Sequence, residues 1–341
     1  VVAPTIAQHN PPVLITGVAG LVGSHLAEAL LAQGRVVVGI DNFCEHYYDA
    51  NQKRDNLSST IGHAGFTLYE TDIRDAEAMM RIVADHRPAA VAHLAAMANV
   101  RYAIGRTPLY TDVNITGSTN LLEAATAHGV KNFVFASTSS AYGHTTALPF
   151  TENDPSNSPL SAYPATKKAV ELMGYTYHNL HQLNFTALRF FSVYGPRPRQ
   201  DMMPFMVTDR IMRGETVTLF NGGQMQRDWT YVGDIVDGVI RAIDTPLGYE
   251  LINLGRGEPV LMADFVRILE QLTGKQATLE CPDAPPSEPA ITFASIDKAR
   301  ALLGYNPQTS IQDGLVELVR WYEEVHAVSR TNRRSRRRHA A

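Results

Sequence analysis

The 341-residue sequence contains two cysteines, Cys44 and Cys281, too few for a disulfide framework or a cysteine-built metal site, and no metal is expected. No apolar run approaches the roughly 20 residues that cross a bilayer, so no membrane partner is expected. The opening stretch VVAPTIAQHNPP lacks both the charged leader and the apolar core of a secretory signal, which predicts a cytoplasmic location. Internal repeats and long low-complexity segments are missing too. Nor is there a broad excess of positive charge: the formal net charge is −4, and the densest basic stretch is the terminal RTNRRSRRRH. Without a wider basic face, that tail reads as a solvated extension, and nucleic acid is not an expected partner.

What is present suits a large globular core, with 45% hydrophobic and 19% charged residues. Short apolar runs at 13–16, 36–41, 66–69, 90–94, 132–137 and 184–189 alternate with amphipathic helical patterns, the first opening at Leu21. That alternation predicts a parallel sheet covered by helices on both faces. Past Tyr194 the texture changes: proline and glycine become frequent (GPRPR, FNGG, CPDAPPSEP) and the helical patterns shorten. The expected fold is α/β, a Rossmann-type doubly wound parallel sheet over 1–194 with a smaller C-terminal α/β substrate-binding domain over 195–328. A disordered basic tail is expected over 329–341.

The stretch VLITGVAGLVGSHLAEALL sets Gly17, Gly20 and Gly23 between the first strand and the first helix. Missing side chains there let backbone N–H groups at the helix start approach a pyrophosphate, helped by the helix dipole. The second strand pattern ends in Asp41, where a carboxylate accepts hydrogen bonds from an adenosine ribose and repels a 2′-phosphate. NAD rather than NADP is therefore the expected cofactor. Asp72 and Ile73 close a further strand, and Leu94, Ala95 and Ala96 close the next with small residues that admit a flat cofactor. In SAYPATKKAVELM, Tyr163 precedes Lys167 by one helical turn, so the two share a face. Such a pair is commonplace on helix surfaces and takes its meaning from the rest of the chain.

With the glycine triplet, FASTSSAYG and Tyr163-x-x-x-Lys167 in this order, the chain resembles the extended short-chain dehydrogenase/reductase family, and within it the nucleotide-sugar epimerases. DNFCEHYYDANQKRDNL, HLAAMANVRYA, DVNITGSTNLLEAA, RFFSVYGPRPRQDMMPF and QMQRDWTYVGDIVDG look like UDP-glucuronate 4-epimerases, with UDP-glucose 4-epimerases as near relatives. The resemblance implies that Tyr163 is the acid/base, that Lys167 lowers its pKa and holds the nicotinamide ribose, and that Thr138 is the hydroxyl partner of the reacting sugar oxygen. It adds Leu21, Val22, Asn42, Phe43, Ser137 and Phe191 to the expected cofactor contacts.

The implied chemistry is oxidation at C4 of a UDP-sugar to a 4-keto intermediate that turns over and is reduced on its other face. Related 4,6-dehydratases place Asp-Glu after the threonine, and UDP-glucuronate decarboxylases carry a glutamate near it. Here Ser139 and Ser140 stand at those positions, so epimerisation is expected. For the sugar, the resemblance puts Arg199 near a carboxylate, with Arg101, Ser139 and Ser192 facing the substrate, Arg227 on the pyrophosphate, and Leu219 and Phe220 against the uracil. UDP-glucuronate is the expected substrate. The alternatives are a UDP-glucose or UDP-N-acetylglucosamine 4-epimerase and, behind them, a UDP-glucuronate decarboxylase. Departures from the family pattern are Met97 where glutamine is usual, and Pro285 and Glu288 in PPSEPAITFA. A homodimer is implied, built from the helix near 112–128 and the helix carrying Tyr163 and Lys167.

Overall fold

The computed structural model describes residues 11–46, 49–284 and 289–339, with backbone alone from 327 onward. The six apolar runs form β1 (Val13–Thr16), β2 (Val37–Asp41), β3 (Phe66–Glu70), β4 (Ala90–His93), β5 (Asn132–Thr138) and β6 (Asn184–Phe190). Among them lie α1 (Leu21–Ala32), α2 (Ala50–Asn56), α3 (Ala76–His86), α4 (Thr107–Thr111), α5 (Gly117–Ala127) and α6 (Ala162–His181). A π-helical turn, Asp112–Thr116, joins α4 to α5. Downstream come β7 (Ser192–Tyr194), α7 (Met203–Arg213), β8 (Thr216–Thr218), β9 (Gln226–Tyr231), α8 (Val232–Asp244), β10 (Tyr249–Leu254), β11 (Pro259–Leu261) and α9 (Met262–Thr273). The order ends with β12 (Thr278–Glu280), β13 (Ile291–Thr292), α10 (Asp297–Leu303) and α11 (Ile311–His339).

The main sheet is parallel throughout, in the order β3-β2-β1-β4-β5-β6-β10. Its central strands are buried on both faces, which is why β1 and β5 read as continuous runs rather than alternating ones. Leu26, Ala27 and Leu30 of α1 join Ile235, Val236 and Val239 of α8 on one face. Met79, Ile82 and Val83 of α3 join Leu121 and Leu122 of α5 and Val170 of α6 on the other. Strand order reverses between β1 and β4, and such a switch point opens a crevice at the carboxyl ends of the strands.

The expected cut at residue 194 is not a clean one. β10 extends the main sheet beyond β6, and α8 packs its apolar stripe with α1, so the later chain returns to complete the first domain. Sequence patterning missed this because β10 follows a glycine- and proline-rich stretch in which strand runs are short. What remains is a smaller unit around β7, β9, β11 and β13, with its own core of Tyr194, Val207, Phe265 and Leu318. Asp228 of β9 locks it over the sheet edge. This buried carboxylate accepts the N–H groups of Arg256 (2.7 Å), Gly257 (3.0 Å) and Ala294 (3.0 Å) and the Thr230 hydroxyl (3.1 Å). Helix α11 continues through 329–339, where a disordered tail was expected. Arginine is a good helix former, and the side chains of that stretch lie outside the described residues.

Candidate active site

One cleft of about 960 Å³ runs along the carboxyl ends of β1, β4, β5 and β6. Every residue expected at the cofactor lines it except Phe43 and Asp72, and every residue expected at the substrate lines it except Leu219 and Phe220. At its floor Gly17 takes φ +71°, and a Cβ there would lie 2.8 Å from the Ala95 nitrogen; at Gly23 a Cβ would lie 2.2 Å from the Gly17 carbonyl oxygen. These two glycines let the turn close on β4 and on itself. Gly20 differs: its φ is −78° and a Cβ would meet only the Gly17 carbonyl, at 3.3 Å. It is the N-cap of α1, no side chain caps that end, and the first turn carries no acid. The leading N–H groups thus border the cleft with the positive end of the helix dipole, a cradle that fits an anionic pyrophosphate.

Asp41 closes β2 as expected, but it is not alone. Its Oδ2 accepts the Ala19 N–H (3.1 Å), its Oδ1 accepts the Phe43 N–H (2.8 Å), and the Lys53 ammonium stands 3.2 Å away. Both side chains are buried and both line the cleft. The charge expected to repel a 2′-phosphate is therefore matched by a lysine that sequence reasoning missed. Phe43 instead packs into the core with the Arg54 guanidinium 4.4 Å over its ring. Asp72 is turned to its neighbours: Arg74 donates to it from Nε (3.0 Å) and Nη2 (2.9 Å), and Asn42 donates at 2.7 Å. Partial burial pushes its pKa up, but these bonds outweigh burial and hold it at about 2.

The end of the cleft expected to be catalytic is built where β5 stops and α6 starts. Thr138, the last residue of β5, accepts the Ser140 N–H at 3.1 Å and so caps the 3-10 turn Ser139–Tyr142. The same side chain is the neighbour that most favours the ionised form of the Tyr163 phenol. Pro164 occupies the first turn of α6, where its missing N–H costs nothing. Burial raises the Tyr163 pKa, while the neighbouring Thr138 hydroxyl and the Arg199 charge pull it down. Burial likewise drives Lys167 down to about 7, with Glu171 opposing. Thr138 and Arg199 are the groups that lower the phenol here. Beneath them lies a buried network that the sequence did not reveal. Glu171 binds Arg189 (2.8 and 2.9 Å) and accepts the Ser137 hydroxyl (2.6 Å), so Ser137 lines the cleft with its hydroxyl directed to Glu171.

At the substrate rim Arg199 grips Asp201 in bidentate fashion, Nε at 2.9 Å and Nη2 at 3.0 Å. Asn99, from the opposite rim, also donates to Asp201. Arg101 stacks 5.8 Å over Phe220, which keeps that ring beside the cleft rather than in its lining. Leu219 is buried in the smaller unit's core, its N–H bound to the Glu280 carbonyl at 2.8 Å. Arg227 donates to the carbonyls of Gln226 and Pro289, both at 2.8 Å.

Residues 13–255 match the model of the NAD dependent epimerase/dehydratase family. The chain belongs to that family. It is 41% identical over 312 residues to a UDP-glucuronate 4-epimerase of Thermodesulfobacterium geofontis, covering 91% of this chain and 96% of that one. The solved UDP-glucuronic acid 4-epimerase from Bacillus cereus, in complex with UDP-glucuronic acid and NAD, matches with TM-score 0.86 at 34% identity, over 92% of this chain and 99% of that one. A UDP-glucose 4-epimerase from Thermotoga maritima, with UDP-glucose, gives TM-score 0.83 at 32% identity over the same shares, 92% and 99%.

The family's name covers both epimerases and dehydratases, and the acids of the cleft bear on that choice. Among the described residues the carboxylates lining the cleft are Asp41 and Asp201, each paired with a cation. The two residues after Thr138 are serines. Met97, which departs from the family's usual glutamine, is 2% exposed, and its backbone is clamped by Asn114 at 2.7 and 3.0 Å. Asn114 lies in the π-helical turn and also donates to Thr166 of α6 (2.9 Å), tying the β4 loop to the catalytic helix. Pro285 and Glu288 lie outside the described residues.

Proposed function

We propose that this protein is an NAD-dependent epimerase that inverts C4 of a UDP-sugar, with UDP-glucuronate as substrate and UDP-galacturonate as product. The observation that carries the reading is the placing of Thr138, Tyr163 and Lys167 together with the Arg199 charge on the phenol, in a cleft with no unpaired carboxylate among its described lining residues. Gly17, Gly20 and Gly23 cradle the cofactor's pyrophosphate, Asp41 and Lys53 take its adenosine ribose, and Lys167 takes its nicotinamide ribose. NAD, when bound, would supply the acceptor for the hydride of the sugar's C4 and the donor for its return. Tyr163 takes the C4 hydroxyl proton and gives it back, while the neighbouring Thr138 hydroxyl steadies the reacting oxygen. With no acid beside Thr138 to protonate a leaving hydroxyl, the 4-keto sugar is reduced again. Arg199 answers the sugar carboxylate.

Incubating the protein with UDP-glucuronate and resolving the products by ion-exchange chromatography tests this. UDP-galacturonate as the main product is expected; turnover of UDP-glucose with none of UDP-glucuronate would move the assignment to the neutral sugar. The protein acts as a cytoplasmic homodimer in this reading. Leu172 (60% exposed), Tyr175 (55%) and Leu180 (66%) line up at helical spacing on the outer face of α6, a face suited to a second copy. Among the described residues no helix is long and apolar enough to cross a membrane.

A further inference from the structure

The Arg199–Asp201 pair is more than a loop ion pair. Its side chains are 17% and 24% exposed, both line the cleft, and the pairing is bidentate, which fixes the plane of the guanidinium as a single contact would not. Asp201 is also gripped from the far rim by Asn99. Asn99 is itself heavily constrained: its φ is +131°, a conformation that non-glycine residues rarely adopt. Its Oδ1 accepts the N–H groups of Arg101 (2.8 Å) and Tyr102 (3.0 Å), and its carbonyl accepts the Tyr110 hydroxyl (2.9 Å). The Tyr110 ring meets that of Tyr163 edge-on at 6.4 Å. A closed circuit of contacts therefore runs from Tyr163 through Tyr110, Asn99 and Asp201 to Arg199, whose charge acts back on Tyr163.

We infer that Asp201, held by Asn99, is a positioning residue that aims Arg199 at the substrate carboxylate and thereby sets whether the oxidised sugar is reduced or loses CO2. This deepens the UDP-glucuronate reading and rests on it. Once C4 is a ketone, the sugar is a β-keto acid. If the C5–C6 bond lies parallel to the ketone π system, that bond breaks, CO2 leaves, and its electron pair forms an enolate between C4 and C5. Protonation at C5 and return of the same hydride then give a UDP-pentose, with no external oxidant or reductant. Asp201 takes the Nε/Nη2 edge of Arg199 and so fixes the plane in which the guanidinium meets the carboxylate. A guanidinium fixed in this way holds the carboxylate in one plane, away from that alignment.

The test uses the full chain with its NAD, comparing the parent with Asp201→Asn and Asn99→Ala. Three quantities are read: kcat/KM for UDP-glucuronate, the UDP-pentose share of the products, and the affinity for UDP alone, which does not involve the sugar carboxylate. Asp201→Asn is expected to lower kcat/KM about tenfold, the scale of one charge-assisted hydrogen bond, and to raise the UDP-pentose share, with UDP affinity within about twofold of the parent. Asn99→Ala moves both in the same direction by less, which covers a failure of Asp201→Asn to fold. An unchanged product share in both variants overturns the inference, as does a fall of UDP affinity in step with kcat/KM. A parent that turns over UDP-glucose but no UDP-glucuronate instead overturns the substrate reading, and the inference goes with it.

Discussion

Two lysines are buried in this cleft, and folding treats them in opposite ways. Lys53, 8% exposed, has the Asp41 carboxylate 3.2 Å away, and that carboxylate is steadied by the N–H groups of Ala19 and Phe43. Lys167, 3% exposed, sits 4.4 Å over the Phe135 ring, and the nearest acid on its helix, Glu171, is already bound by Arg189 and Ser137. Burial has moved Lys167 down to about 7 and has moved Tyr163 up. At the adenosine end charges are settled in pairs and serve as scaffold. At the catalytic end they are left unsettled, which suits groups that must exchange a proton near neutral pH.

The largest effect falls on the catalytic end alone. Tyr163→Phe removes the proposed acid/base and keeps the ring against Tyr110, so kcat is expected to drop by about 10³-fold or more, with NAD content and unfolding midpoint close to the parent's. Product chromatography together with the absorbance of the released cofactor reads both. A variant retaining about a tenth of the parent rate would show that another group moves the proton.

Lys167→Met is next, and its sign is the informative part. An unfolded lysine titrates near 10.4 and the folded one at about 7, so between these values the unfolded chain binds more protons and the parent gains stability as pH rises. Below pH 7 the folded state bears the full cost of a buried ammonium. The methionine variant, inactive but free of that cost, is expected to be about 4–5 kcal/mol more stable at pH 6, the gap closing toward pH 10. Urea unfolding at pH 6, 8 and 9.5 measures it. A variant less stable than the parent at pH 6 would mean that Lys167 is compensated as well as Lys53 is.

The same contrast explains what the sequence disclosed. Gly17 and Gly23 were legible because no side chain fits where they stand, and Tyr163 with Lys167 because helical period alone brings them together. The strands of the main sheet were legible up to β6, where apolar runs are uninterrupted. The pairs were not. Lys53 reaches Asp41 across 12 residues, Glu171 reaches Arg189 across 18, and Asn99 reaches Asp201 across 102. No periodicity encodes those separations; they are set by how β2, α6 and the two rims of the cleft pack. β10 escaped notice for a related reason, since only its register with β6 makes it part of the main sheet.

The smallest effect sharpens the comparison from the other side. Lys53→Met leaves Asp41 buried with two backbone N–H bonds and no cation. Removing one partner of a buried pair strands the other charge, but those two N–H bonds retain part of its stabilisation, so the loss is expected at about 1–2 kcal/mol. The sign is opposite to that of Lys167→Met. Asp41→Asn with Lys53→Met in the same chain removes both charges and should recover most of the loss, because the amide oxygen still accepts an N–H bond. Denaturation midpoints of the four chains, measured at one pH and salt concentration, give the coupling directly. If Lys53→Met were as stable as the parent, the two buried lysines would be alike, and the division of the cleft into a settled end and a strained end would not hold.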